Sequence, residues 1–340
     1  MVKDMRARIS ILLVLLVLVG CQTANAGWIR LSTNSFAWFK DVFFLNEQKG
    51  WIVGTDGTLL STVDGGATWT PKHKFTTDAF LQVHFIDENT GWILCERNIY
   101  ARGPNAASYL RKTTDGGRNW EKIEFEKAGR ERVTKLLFNR WGGATAFGEG
   151  GIFYKLQDDG KTWKSSRTAI HFLLLDGAFG DGEIGVISGA GGTILFTDNS
   201  GLTWDKATLL GNTDARLNSI FFVGARNGWA VGSNGVIFHS SGGGRLWRQQ
   251  ESGTQTNLND VYFTTSTNGW AVGDDGIIVR TRDGGQTWTD GNSPVTHNLE
   301  MITFAGSRGW AVGFGGTILA YHANASISDA GDGPSLMTRN

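Results

Sequence analysis

Four aspartates, Asp64, Asp115, Asp158 and Asp283, fall at one place in a recurring motif, Thr-x-Asp-Gly-Gly-x-Thr-Trp. The motif is complete from Thr62 to Trp69 and from Thr281 to Trp288, and between Thr113 and Trp120 it carries Asn119 for Thr. Lower-fidelity copies put Asp158, Asn199 and Gly242 at the aspartate position. Carboxylates can serve glycoside chemistry in pairs, one as acid and one as base or nucleophile. They can also accept the backbone amides of their own turn. Every copy keeps Gly three residues before its Trp: Gly66, Gly117, Gly160, Gly201, Gly244 and Gly285. That points to a left-handed backbone position in a tight hairpin, so the aspartates are expected to be structural. The six His residues lack ligand spacing, Cys95 has no His near it in sequence, and no Gly-rich stretch opens a helix where phosphate binds. No catalytic residue, metal or cofactor is expected, and the chain is read as a non-enzyme.

Cys21 is the other chemically distinctive residue. It follows a basic start (Lys3, Arg6, Arg8) and an unbroken apolar stretch from Ile11 to Val19, the layout of a secretory signal over residues 1–26. Leu18-Val19-Gly20-Cys21 resembles a bacterial lipobox, which makes Cys21 the site of a diacylglycerol anchor on an exported, membrane-tethered protein. Ala24-Asn25-Ala26 offers a second cleavage site, giving a soluble, secreted protein that starts at Gly27.

The elements that carry these residues follow from internal repetition. Trp28, Trp69, Trp120, Trp163, Trp204, Trp247 and Trp288 recur at about one 40-residue period, and a Gly-Trp-x-Val-Gly-like strand recurs at Trp51, Trp92, Trp229, Trp270 and Trp310. These account for twelve of the fourteen Trp as blade core. Trp38 and Trp141 fall outside both series, and Trp141 is expected to repair packing in the degenerate third repeat. In the unit from Leu258 to Asp290, Asp260–Phe263, Gly269–Gly273, Gly276–Arg280 and Thr287–Thr289 read as four short strands with Gly and Asp between them. Seven such units predict an all-β, seven-bladed β-propeller with four-stranded blades over residues 27–322. The seventh unit stops after Gly316–Ala320, and its missing outer strand is supplied by Gly27–Leu31, so the N-terminal strand should complete the last blade and close the ring. Residues 323–340 read as a polar, disordered tail.

Charge sets further limits. Lys and Arg total 32 against 32 Asp and Glu, and the leader removes a net excess of cations, so nucleic acid is not an expected partner. Two cysteines in unlike surroundings exclude a disulfide framework.

In a propeller the loops entering the first strands share a face with the loops between second and third strands, and that face is where ligands are expected. It carries Trp38, Lys40, Arg97, Arg130, Arg132, Lys135, Arg216 and His297. Arg130 and Arg132 form the most basic loop, and the one substantial insertion, 103–108, lies in the preceding blade. Together they suggest a site for an extended, acidic segment of another protein, bound by guanidinium hydrogen bonds to a monomeric scaffold.

The hairpin motif resembles the Asp box of sialidases, whose boxes lie on the outer rim, away from the ligand. The Arg-Ile-Pro opening of such enzymes is absent, and none of the five Tyr has an obvious role. A glycan-binding or glycoside-hydrolase-like propeller is kept as the alternative function. The exported leader, the Gly-Trp-x-Val-Gly strands and the Thr-x-Asp-Gly-Gly-x-Thr-Trp hairpins together resemble the photosystem II stability and assembly factor family of cyanobacteria and chloroplasts, across residues 28–322. That resemblance implies a seven-bladed propeller in the thylakoid lumen, lipid-anchored in cyanobacteria, that binds the newly made D1 subunit during assembly. Related propellers also occur in bacteria without photosynthesis.

Overall fold

The structure, a computed structural model, describes residues 27–322 except 99, 101–104, 140, 168–169, 182 and 212–213. The leader, Cys21, the start of the 103–108 insertion and the tail from 323 lie outside the described residues.

Seven antiparallel sheets are arranged as blades. Their innermost strands are Phe39–Phe44, Ala79–Phe85, Val133–Phe138, Leu174–Phe179, Leu217–Val223, Leu258–Phe263 and Leu299–Ala305. Runs such as Gly50–Gly54 and Gly269–Gly273 are buried along their whole length, because each second strand is covered by a neighbouring blade on both faces. The repeated Trp explains how. Trp51 stacks on Phe85 of the next blade at 3.8 Å, Trp229 on Phe263 at 3.6 Å and Trp310 on Phe44 at 3.7 Å. The Trp of the hairpin motif meets the same Phe edge-on, as Trp69 does Phe44 and Trp288 does Phe263. In blades 1, 2 and 6 one Phe is thus held between two indoles, a geometry favoured for aromatic pairs.

The ring closes as the repeat frame predicts. Gly27–Leu31 pairs antiparallel with the third strand of blade 7, Gly27 opposite His322 and Leu31 opposite Ile318. Trp28 is buried against Tyr321 (5.2 Å) and Phe304 (6.1 Å). Two expectations need correction. Blade 5 has five strands, because Thr208–Leu210 in the connection from blade 4 adds parallel to the outer strand Leu246–Gln250. Trp141 does not repair the third blade: it stands 67% exposed on the turn between the blade's first and second strands.

One buried titratable group couples this packing to pH. His84 lies between Phe43 (4.8 Å) and Phe138 (4.3 Å, stacked), and burial, with Lys135 nearby, holds its pKa down to about 3. Its folded pKa lies below the unfolded value of about 6.5. The neutral ring therefore contributes fully above that pH, and the contribution is lost as pH falls, at about 1.4 kcal/mol per pH unit. Urea unfolding at pH 7 and pH 5 should show wild type losing about 2 kcal/mol more than His84→Phe. Parallel pH profiles for the two proteins would exclude this assignment.

Candidate functional site

The hairpin aspartates can be placed first, because their geometry decides whether they do chemistry. Asp64 Oδ1 accepts from Thr62 Oγ1 (2.7 Å) and the Thr68 amide (2.9 Å), and Oδ2 accepts from Thr68 Oγ1 (2.5 Å). Asp115 and Asp283 repeat this with Thr113 and Asn119, and with Thr281 and Thr287. Gly66 and Gly285 take the left-handed backbone that the turn requires, at φ 77° and 88°. In the third copy the sequence pointed to Asp158, but the bonds to the Lys161 and Thr162 amides are made by Asp159. The reason is a shorter hairpin, in which Trp163 already pairs with Leu156 as the outer strand begins. Hydrogen bonds led by the Thr68 hydroxyl in Asp64, the Asn119 amide in Asp115 and the Thr162 and Thr287 hydroxyls in Asp159 and Asp283 hold these carboxyls at about 2. They stay ionised and cannot donate the proton a glycosidic acid must supply.

The opposite, upper face is different. The seven innermost strands each carry a bulge near their start, between Phe39 and Asp41 in blade 1 and between Leu299 and Met301 in blade 7. The bulge turns two successive side chains toward the channel. The deeper set, Asp41, Gln82, Lys135, Asp176, Ser219, Asp260 and Met301, fastens blade to blade. Asp41 accepts the Val83 amide (2.8 Å), and Gln82 both accepts from Leu136 N (2.7 Å) and donates to its carbonyl (3.0 Å). Lys135 pairs with Asp176 at 2.8 Å, while Asp176 and Asp260 accept the amides of Ile220 (3.0 Å) and Ile302 (2.8 Å). Ser219 Oγ lies 2.7 Å from Asp176 and 2.6 Å from Asp260, so one hydroxyl proton serves two carboxylates.

Above this ring, Lys40, Glu96, Arg132, Arg216, Asn218 and Glu300 help line a cavity of about 360 Å³ at the channel mouth. Lys40 sits 3.4 Å over the Trp38 ring and 3.6 Å from Glu300, and Trp38 Nε1 donates to Glu300 (2.7 Å). Burial lowers the Lys40 pKa against the opposing pull of Glu300. Arg132, about half exposed, bonds Glu149 at 2.7 Å and faces Glu96 at 3.6 Å. Arg216 is exposed, with Nε donating to Asn218 (3.0 Å). Trp38 also meets Phe314 (5.5 Å), itself half exposed, and His297 meets that Phe at 6.2 Å. Phe36, 94% exposed, lies in the same crossover as Trp38.

Of the eight residues expected on this face, Lys40, Arg132, Lys135 and Arg216 therefore converge on the channel mouth, and Trp38 and His297 form an aromatic shoulder beside it. Arg130 is exposed but does not line the cavity. Arg97 is corrected: it is buried, donates to the Ala106 carbonyl (2.7 Å) and Glu124, and stacks on Tyr109, so it serves blade 2. The sequence reading leaves out the acidic members Glu96, Asp176, Asp260 and Glu300; aligning the seven repeats on their first strands exposes the last three, whereas Glu96 ends a second strand. Among the described residues no group of three His, Cys, Asp or Glu is placed to hold a metal ion. Cys95 is buried, which pushes its thiol pKa up.

A family model described as Photosynthesis system II assembly factor YCF48 matches residues 21–169, 157–251 and 244–328. The photosystem II assembly lipoprotein Ycf48 of Picosynechococcus is 27% identical over 297 residues, which cover 73% of this chain and 86% of that protein. The photosystem II assembly protein Ycf48 of Thermosynechococcus vestitus is 26% identical over 268 residues, 65% of this chain and 74% of its own. Among solved structures, YCF48 bound to a D1 peptide superposes with a TM-score of 0.70 at 24% identity, over 87% of this chain and 95% of the other. YCF48 from Cyanidioschyzon merolae gives 0.70 at 22% identity, over 87% and 99%. At these identities the structures establish a common fold.

Proposed function

The chain belongs to the photosynthesis system II assembly factor YCF48 family, and from that membership we propose that it is a non-enzymatic, membrane-tethered scaffold whose upper face holds an extended segment of a membrane-complex subunit. In a photosynthetic host that subunit is D1 and the compartment is the thylakoid lumen. The working unit is residues 27–322, monomeric, exported by residues 1–26 and anchored through Cys21.

The observation that carries this reading is the meeting, on one face, of exposed guanidinium groups with a half-exposed aromatic shoulder. Arg132 and Arg216 stand at the channel mouth, and Phe314 and Trp38 beside it. An extended peptide offers carboxylates and apolar side chains to such a surface without needing a deep cleft. Arg130 adds charge at its margin. Arg132 is the less available of the two channel cations because Glu149 and Glu96 already face it.

Capture of a synthetic D1 peptide, measured by fluorescence anisotropy, tests the proposal. Replacing Arg130, Arg132 and Arg216 with Gln should weaken binding by about 1–3 kcal/mol, a loss of charge-assisted hydrogen bonds. Lys49→Ala, on the opposite face, should leave it unchanged. Equal affinity of the triple variant and wild type would remove the upper face from the site.

A further inference from the structure

We infer that the lower face of the propeller, the one bearing the hairpin tips, rests on the membrane surface and holds the upper face away from it. This deepens the membrane-tethered reading above and rests on it.

The position of the first strand carries the inference. Gly27 pairs with His322, the last residue of the third strand of blade 7, whereas Leu31 pairs with Ile318 near the turn on the upper face. The chain therefore enters the propeller at the lower, outer corner of blade 7. Five residues, Gln22 to Ala26, separate Cys21 from Gly27. At about 3.3–3.6 Å per residue they hold a lipid on Cys21 within roughly 20 Å of that corner.

A tether at that corner permits contact through the lower face or through the outer edge of blade 7, and the surface chemistry selects the face. Val63, Trp141 and Leu202, at 76%, 67% and 71% exposure, all lie on its turns. At the tip position after the second Gly of each hairpin stand Arg118, Lys161, Leu202 and Arg245, with Ala67 and Gln286, and none of the six is acidic. Arg245 and Lys161 also meet Asp198 (2.6 Å) and Glu121 (3.7 Å), but these pairs are exposed and weak. The same turns also carry the ionised Asp64, Asp115, Asp159 and Asp283, so the exposed indole and aliphatic side chains, and not net charge, fit this face to the interfacial layer of a membrane.

The test supplies the anchor chemically, so that its result does not depend on whether the cell lipidates Cys21. The chain starting at Cys21 is coupled through that thiol to a maleimide phospholipid in vesicles containing phosphatidylglycerol; Cys95 is buried and does not compete. Dansylalanine is placed at position 202 or 63, and in a separate protein at position 36 on the upper face. Doxyl-labelled lipids should quench the probes at 202 and 63 at least threefold more than the probe at 36. Equal quenching, or stronger quenching at 36, overturns the inference. Release of a Cys21→Ala protein from host membranes separately reports on the anchor.

Discussion

A chain lacking residues 27–33 is expected to lose at least 3–5 kcal/mol of stability, roughly the cost of removing one large buried aromatic. The segment supplies Trp28, which is 6% exposed and packed on Tyr321 and Phe304, and five paired residues that cover the third strand of blade 7. Its removal leaves that strand as an open edge, which favours pairing with a second copy. Trp28→Ala alone separates the packing from the pairing: it should cost most of the free energy while the protein stays monomeric. Urea unfolding measures the first effect and sedimentation velocity the second. An unfolding midpoint unchanged by the deletion would show that the ring does not depend on this closure.

The closure was legible because the repeats leave a countable remainder. Six complete units, a seventh without its outer strand and an isolated Trp28 one period before Trp69 admit few arrangements. The Gly and Trp of each unit are equally readable, since a left-handed turn and an indole between blades tolerate few substitutes. Other features depend on register that no single repeat shows. Asp158 and Asp159 are adjacent, and only the length of the third hairpin decides which one reaches the turn amides. Arg97 has the same residue type as Arg132 and a loop on the same face, between the second and third strands of its blade where Arg132 enters a first strand. Its fate is set by Tyr109 and Glu124, which the sheet brings to it from later strands. The fifth strand of blade 5 has no period at all, because Thr208–Leu210 joins a neighbouring sheet from a connection. The channel ring was hidden for a related reason: only its position repeats, and outside the three aspartates Asp41, Asp176 and Asp260 its residue type changes from blade to blade.

That ring also separates residues that hold the fold from residues free to hold a partner, and Asp176 makes the distinction measurable. Its carboxylate accepts the Ile220 amide, lies within hydrogen-bonding distance of Ser219 Oγ, and neutralises Lys135, all in surroundings where Asp176 is 4% exposed. Asp176→Ala leaves an ammonium group and an amide buried without this acceptor, and is expected to cost about 3–5 kcal/mol. Lys135→Met removes the cation and leaves Asp176 its Ile220 and Ser219 donors, so its cost should be smaller. If the two charges act as a pair, the double variant loses less than the sum of the single losses. A cycle of urea unfolding measurements yields that difference, and strict additivity would deny the coupling. The same proteins distinguish roles at the channel mouth. Lys135 was read from sequence as a partner contact, yet its ammonium is already committed to Asp176. Lys135→Met should therefore lower stability while leaving peptide affinity close to wild type, the reverse of what Arg216→Gln should do. Peptide affinity lost with Lys135→Met at unchanged stability would return Lys135 to the binding surface and make the ring itself part of the site.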